Sequence, residues 1–320
     1  MNPPVTLACH AMATRFEVVL HGPNAASLRA AGEEALRTVE QLEAQLSLYR
    51  PGSEIALLNA RAAHEPVRVT PPLFALLQHA LKLGQESAGA FDITIAPLVR
   101  CWGFMGGQGR VPQPEELAEA RAKVGMNLVE LDPSQHTVRF AREGVMLDLG
   151  AIGKGYAIEC AAEVLREAGV TSALLHGGTS TVQAIGNPPD QPFWKVAIEN
   201  PLPLAGAPAA PLATVPLRDE ALSISGIKDH SFQFNGRTYG HVIDPRTGEP
   251  ATGASLAAVV LPSATETDAL STALLTLGQS GYERISTLRP RMRTLVVQES
   301  QGQPIVMSKS IQLNVPEGNI

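Results

Sequence analysis

The chain changes its hydrophobic period partway along, and that change limits the folds open to it. Up to about residue 125 apolar residues recur mainly at three- and four-residue spacing. From 129 to about 261, short β-type stretches broken by turn residues take over, interrupted by a single helical run. A strand is expected over 14–21, where Phe16, Val18 and Leu20 alternate imperfectly with polar neighbours. Pro23-Asn24 then opens a helix to about Leu46, carried by Leu28, Ala31, Ala35, Val39, Leu42 and Leu46. Thr70-Pro71-Pro72, a cap followed by prolines suited to a first helical turn, starts a second helix that ends near Gly89. Pro114-Glu115-Glu116 starts a short third. Later come strands broken at Asp132-Pro133 and Glu143-Gly144, a helix over 153–168, a hairpin turn at Asn235-Gly236, and a last helix over 264–277. Helices and strands mix without regular βαβα alternation, so the expected class is α+β. With 320 residues, 44% of them hydrophobic, one large domain can hold a full core, and residues 1–320 are taken as one domain. Residues 201–211, rich in Pro and Ala, are expected to form a surface loop.

Composition excludes several functions. The net charge is −6, and no basic excess marks a nucleic-acid partner or an anionic membrane. Any bound phosphate must therefore be handled locally, by backbone amides, one or two cations or a metal. Cys9, Cys101 and Cys160 are odd in number, far apart and without a CxxC pair, so they are expected as reduced thiols, two of them buried. No charged leader with a long apolar run opens the chain, and no stretch approaches about 18 uninterrupted apolar residues. The chain reads as cytoplasmic, or as periplasmic if a leader has been removed.

Four polar constellations fall where the periodic pattern places element ends. Asp148-Leu149-Gly150-Ala151-Ile152-Gly153-Lys154-Gly155-Tyr156 runs from a strand through a glycine-rich turn into a helix. Its amides and Lys154 suit an anion, although the same spacing serves an ordinary β-to-α turn. It is no Walker A loop, since residue 148 is Asp and Gly155 replaces the Ser or Thr. His241-Val242-Ile243-Asp244-Pro245-Arg246-Thr247-Gly248 joins a turn sequence to a histidine able to act as a base near neutral pH. A lone histidine is more often a packing or surface residue. Asp268 and Thr272 lie four apart at the start of the last helix and so share one face, a pair of hard oxygen ligands suited to Mg²⁺. Thr265 and Thr267 beside them are candidate caps. Gly89-Ala90-Phe91-Asp92-Ile93-Thr94-Ile95-Ala96-Pro97-Leu98 sets an aromatic among small residues, either against a flat ligand or in the core. Gly103-Phe104-Met105-Gly106-Gly107-Gln108-Gly109 imitates a dinucleotide loop, but neither follows a strand nor opens a helix.

In their order and spacing these blocks resemble the signatures of the FAD:protein FMN transferase family, the ApbE type once called thiamine-biosynthesis lipoproteins. Further matching blocks are Met12-Ala13-Thr14-Arg15-Phe16, Ser47-Leu48-Tyr49-Arg50 with Ser53-Glu54 and Leu58-Asn59, and Phe91-Asp92-Ile93-Thr94 with Trp102-Gly103-Phe104. The likeness covers about residues 10–300. It implies one α+β domain with FAD in a cleft between two lobes. It further implies that Met12, Tyr49, Ala90, Phe91, Asp92, Asp148, Lys154 and Ile243 contact FAD. Asp268, Thr272 and the main-chain oxygen of Ala151 would hold Mg²⁺, and His241 would be the catalytic base. The acceptor implied is a flavin-carrying protein with a short Ser/Thr flavinylation motif, such as a subunit of a membrane redox complex. There are departures. Gly153 replaces a commoner Ala, and Glu159 a frequent Asp. His176-Gly177-Gly178-Thr179-Ser180 stands where Asn-x-Gly-Gly-Asp is more usual, removing an acid that could help hold a second metal. Ile227-Lys228 stands where an aromatic is common.

These residues fit a reaction in which the Gly150–Gly155 amides and Lys154 hold the pyrophosphate of FAD and His241 takes a proton from the acceptor hydroxyl. Two alternatives stand beside it. One is Mg²⁺-dependent FAD hydrolysis to FMN and AMP; the other is a flavin-binding or trafficking protein without turnover.

Overall fold

The structure is a computed structural model, and it describes residues 3–201, 210–227, 231–300 and 303–314. Its first two strands, β1 (Val5–Ala11) and β2 (Thr14–Leu20), form an antiparallel hairpin that closes through Met12 and Ala13. Both turn residues are left-handed, at φ 49° and 58°. That is the geometry a two-residue hairpin prefers, but side-chain-bearing residues adopt it at a cost of roughly 1–2 kcal/mol each. Helix α1 (Ala25–Leu46) follows, its first amides held by the Asn24 side chain, and its apolar stripe covers the hairpin.

The next segment holds two helices that periodicity did not reveal. Helix α2 (Glu54–Arg61), capped by Ser53, is only two turns long, too short to display a period. It leads through β3 (Val67–Arg68) to α3 (Pro71–Glu86), where the prolines fill the first turn as expected. Thr70 makes no cap bond there, since its hydroxyl bonds Glu54 instead. Helix α4 (Ala96–Cys101) is the second unforeseen helix, and α5 (Pro114–Arg121) starts at its expected proline. Strands β4 (Val129–Asp132) and β5 (Thr137–Phe140) complete a three-stranded sheet in the order β3-β5-β4.

After α6 (Gly153–Glu167) come β6 (Ala173–Gly177), β7 (Thr181–Ile185), the pair β8 (Trp194–Ile198) and β9 (Ala213–Leu217), and β10 (Ala221–Gly226). Residues 202–209, most of the expected Pro/Ala-rich loop, lie outside the described residues. The hairpin of β11 (Ser231–Phe234) and β12 (Arg237–Gly240) turns at Asn235-Gly236, both with positive φ, as the sequence predicts. Strand β13 (Leu256–Leu261), α7 (Ala264–Leu277), α8 (Tyr282–Ser286), β14 (Arg293–Ser300) and β15 (Gln303–Lys309) end the described fold.

One eight-stranded antiparallel sheet in the order β1-β2-β6-β7-β10-β13-β14-β15 organises the molecule. Helices cover one face, where Ala257, Val259 and Leu261 meet α7 and α3; the β8–β9 pair covers the other, against Leu256, Ala258 and Val260. Buried on both faces, β13 reads Leu-Ala-Ala-Val-Val-Leu with no polar alternation. The α+β expectation holds. All three cysteines are free thiols, but Cys101 alone is buried, not two of the three, because Cys9 and Cys160 keep one side open to solvent. No described helix is long and apolar enough to cross a membrane.

Candidate active site

A cavity of about 440 Å³ opens where the β1–β2 turn, the β6–β7 turn and the end of β10 face the loop before α4. The strained Met12-Ala13 turn forms part of its wall, and the Met12 amide donates to Glu43 Oε1 of α1 at 2.8 Å. Opposite lie Ala90, Phe91 and Asp92, then Ile95 and Val99. Phe91 is mostly a core residue, buried among α3 and the small sheet, and presents only part of itself to the cavity. Asp92 accepts the Thr94 amide at 2.7 Å and its hydroxyl at 2.5 Å. Burial pushes the Asp92 carboxyl above its usual range, and those Thr94 bonds offset part of the rise.

The floor is the turn from Asp148 into α6. Asn59 clamps it from α2, exchanging two hydrogen bonds with the backbone of Leu147 at 2.7 and 3.0 Å. Burial raises the Asp148 carboxyl, opposed by the Gly150 amide and then by Lys154. The glycine-rich turn differs from its expected role as a phosphate cradle. The Gly150 amide donates to Asp148 Oδ1 at 2.8 Å, the Ile152 and Gly153 amides to Leu149 O, and the Gly155 amide to Asp268 Oδ2 at 2.9 Å. Four amides of that stretch are thus already engaged, because the turn closes on itself and on α7. A Cβ at Gly155 would lie 2.7 Å from Asp268 Cβ and closer still to the Ala264 carbonyl oxygen. The glycine therefore permits contact between two helices. Lys154 projects from the same turn, its ammonium 3.0 Å from Gly150 O.

Helix α7 brings Asp268 and Thr272 to the cavity from below, as their spacing predicts. Ser263 caps it by accepting the Glu266 amide, so neither Thr265 nor Thr267 is the cap. Instead Thr267 bonds Ser223 at 2.8 Å, and the Thr265 amide donates to Glu159 of α6 at 2.8 Å. Glu159 also accepts from Ser263 at 2.7 Å, which fixes the start of α7 onto α6. Thr272 Oγ1 lies 3.3 Å from Ser225 Oγ of β10.

His241 stands at the foot of the β11–β12 hairpin and lines the cavity with Val242, Ile243 and Pro245. The Asp-Pro-Arg-Thr-Gly run behind it is a self-bonded turn. Asp244 accepts the Arg246 amide, Nε and Nη2 at 2.9, 2.9 and 2.6 Å, and its carbonyl accepts the Gly248 amide. Trp102 Nε1 donates to Gly248 O at 2.8 Å and so joins this turn to α4.

Met12, Ala90, Phe91, Asp92, Asp148 and Lys154 thus line one space with Ile243, His241, Ala151, Asp268 and Thr272. Tyr49 is the exception. It is 67% exposed and outside the lining, though partial desolvation of its hydroxyl and the nearby Asp148 carboxylate hold that phenol above its usual range. Sequence reasoning assigned no role to Val99 or Ile224, apolar residues of α4 and β10 that only the tertiary fold brings to the same wall. No group of three or more His, Cys, Asp or Glu gathers as a metal cluster among the described residues.

The model of the ApbE family matches residues 12–296. The FAD:protein FMN transferase of Treponema pallidum is 34% identical over 278 residues, 82% of this chain and 75% of that protein. That of Haemophilus influenzae is 30% identical over 284 residues, 86% of this chain and 81% of that protein. Among solved structures, the ApbE protein of Thermotoga maritima superposes with a TM-score of 0.85 at 26% identity, covering 96% of this chain and 97% of that one. The flavinyl transferase ApbE of Pseudomonas stutzeri, in its apo form, gives 0.82 at 29% identity, covering 96% and 95%.

Proposed function

The chain belongs to the ApbE family, and from that premise we propose that it transfers FMN from FAD to a Ser or Thr hydroxyl of another protein, with Mg²⁺ bound at Asp268. Relatives named for FMN transfer support the overall reaction. The observation that carries the metal is the state of Asp268. Its residue is 4% exposed, and among the described residues no Lys, Arg or His forms an ion pair with it. A buried carboxylate held by one amide calls for a cation. With the Thr272 hydroxyl and the Ala151 carbonyl it makes a set of hard oxygen donors, which fits Mg²⁺ that keeps waters and phosphate oxygens in its remaining positions. When bound, the ion supplies neutralisation of charge on the pyrophosphate.

The chain's own residues account for the rest. Lys154 faces the phosphates from the floor, and Ala90–Asp92 with Met12 and Ile243 shape the walls against the flavin nucleotide. His241 accepts the proton of the acceptor hydroxyl as that oxygen bonds to the FMN phosphorus. The bond from that phosphorus to the bridging oxygen breaks, and AMP leaves with the oxygen. Protein walls around the phosphate limit attack by water while the acceptor is absent. The acceptor on this account is a flavin-carrying protein, and its product is a phosphoester-linked flavin.

The deciding experiment follows AMP release and acceptor mass together. FAD and Mg²⁺ alone should release AMP slowly; a competent acceptor domain should accelerate release and gain the mass of FMN in step. Its Ser/Thr→Ala form should do neither. Rapid AMP release with no acceptor gaining mass would make the protein an FAD pyrophosphatase instead.

A further inference from the structure

A second cavity, of about 580 Å³, lies on the other side of the β6–β7 turn. The two cavities share a wall, for Gly178, Thr179, Ser180, Ile224 and Gly226 line both. The floor of the second is the sheet face bearing Leu174, Val182, Leu222 and Leu256, and its side is β8. Lys195, Val196, Ala197 and Glu199 all line it. Successive side chains of a strand point to opposite faces. Val196 packs toward the core between the sheets, whereas Lys195 and Ala197 are exposed. Residues of both faces line this cavity, as they do where a cavity runs along the edge of a strand and past its end.

That edge is also the one left over. Strand β8 pairs with β9 on its other side, and the outer side of β9 is met by the Ala213–Leu313 bridge and by the Asn314 amide donating to Leu212 O at 2.9 Å. Among the described residues no strand pairs with the edge of β8 that faces the cavity. An unpaired edge with main-chain donors and acceptors is a template for an extended peptide.

We propose that this second cavity takes an extended segment of the acceptor protein, which adds as a strand along β8 and passes its reactive hydroxyl over the Gly178–Ser180 wall toward His241. The proposal rests on the transferase function above. It gives the acceptor a route to the phosphorus that does not cross the space occupied by FAD. Main-chain bonds hold the segment while the motif around its reactive Ser or Thr passes over the wall, and Val182, Leu222 and Leu256 line the groove beneath it.

The test uses the full chain and a panel of purified flavin-carrying domains, of which the one labelled by the wild-type protein is taken forward. Ala197→Trp places a large ring in the groove from an exposed position. It should raise the KM for that domain about tenfold or more, while the FAD dissociation constant and the slow acceptor-free AMP release stay within about twofold of wild type. A photo-crosslinking residue at Lys195 should capture the domain within a few residues of its flavinylated Ser or Thr. If A197W leaves the acceptor KM unchanged, or weakens FAD binding in parallel, the groove is not the acceptor's and the proposal fails with the transferase function intact. If the wild-type protein labels no domain in the panel while releasing AMP rapidly, the function itself fails, and this proposal with it.

Discussion

Gly155 and Asp268 are separated by 113 positions in the chain, yet the amide of one donates to the carboxylate of the other. The missing side chain and the held carboxylate form one device. Gly155→Ala should destabilise the protein by about 1–3 kcal/mol, the cost of overpacking a close contact, and should lower turnover by more than its stability loss explains. Gly153→Ala is the control, since a Cβ there meets Leu149 at an ordinary 3.8 Å. Urea titration beside initial rates checks both; equal loss of activity in the two variants would refute the device. His241→Ala should lower turnover by roughly 10²–10⁴-fold, the usual contribution of a general base, with FAD binding by fluorescence quenching retained. Parallel loss of binding would make His241 a ligand contact. Asp268→Ala should abolish turnover, and Thr272→Ala, which removes a neutral ligand, should recover partly at high Mg²⁺. Turnover by wild type after exhaustive chelation would remove the metal from the mechanism. The Asp268–Thr272 pair was legible because helical spacing puts both on one face whatever the tertiary fold. The use of the Gly150–Gly155 amides was not, since a glycine required by a ligand and one required by a neighbouring helix look alike in a sequence.

Helix α7 is held at its start by more than its cap. Arg289 donates to Glu266 at 2.9 Å and to Glu86 of α3 at 2.7 Å, and His79 of α3 lies 3.3 Å from Glu266. Burial alone would raise the Glu266 carboxyl; the nearby His79 imidazole and the hydrogen bonds from Arg289 overcome it and bring the pKa down to about 2. An unfolded carboxyl takes its proton near 4.5, so between 4.5 and about 2 the unfolded state binds more protons than the folded one. This stabilisation is therefore complete above pH 4.5 and is lost as pH falls toward 2. Glu266→Gln should cost about 2 kcal/mol near neutral pH, the scale of hydrogen bonds to a charged group, and should flatten the acid limb of a stability–pH profile over that window. An unchanged limb would assign acid sensitivity to other carboxylates. Elements of this length could be read directly: α1, α3, α6 and α7 lie close to their expected bounds, although the caps expected for α3 and α7 do not serve. The short α2 and α4 escaped because two turns or fewer do not establish a period, and β1 because pairing with β2, more than its own alternation, makes it a strand.

At the scale of the whole molecule, the cavity proposed for FAD is the place where the main sheet, the glycine-rich turn and the α4 segment meet, and no one of them contains it. FAD at a hundred times its dissociation constant should stabilise the folded state by about 2.7 kcal/mol, visible as a rise of several degrees in Tm with Mg²⁺ present. No shift at saturating FAD would place the nucleotide elsewhere. Such a distributed site has a history as well as a geometry. Its wall begins at Met12 and its carboxylate sits at Asp268, so a nascent chain emerging from the ribosome carries no usable pocket until α7 has followed it out. Both strands of the β2–β6 pair, with Phe16 opposite Gly177, precede α7 in the chain and are made before it. Non-local closure of this kind is slow compared with helix formation. On refolding from denaturant, secondary structure should return first and the quenching of FAD fluorescence last, so the protein would acquire its shape before it acquires its chemistry.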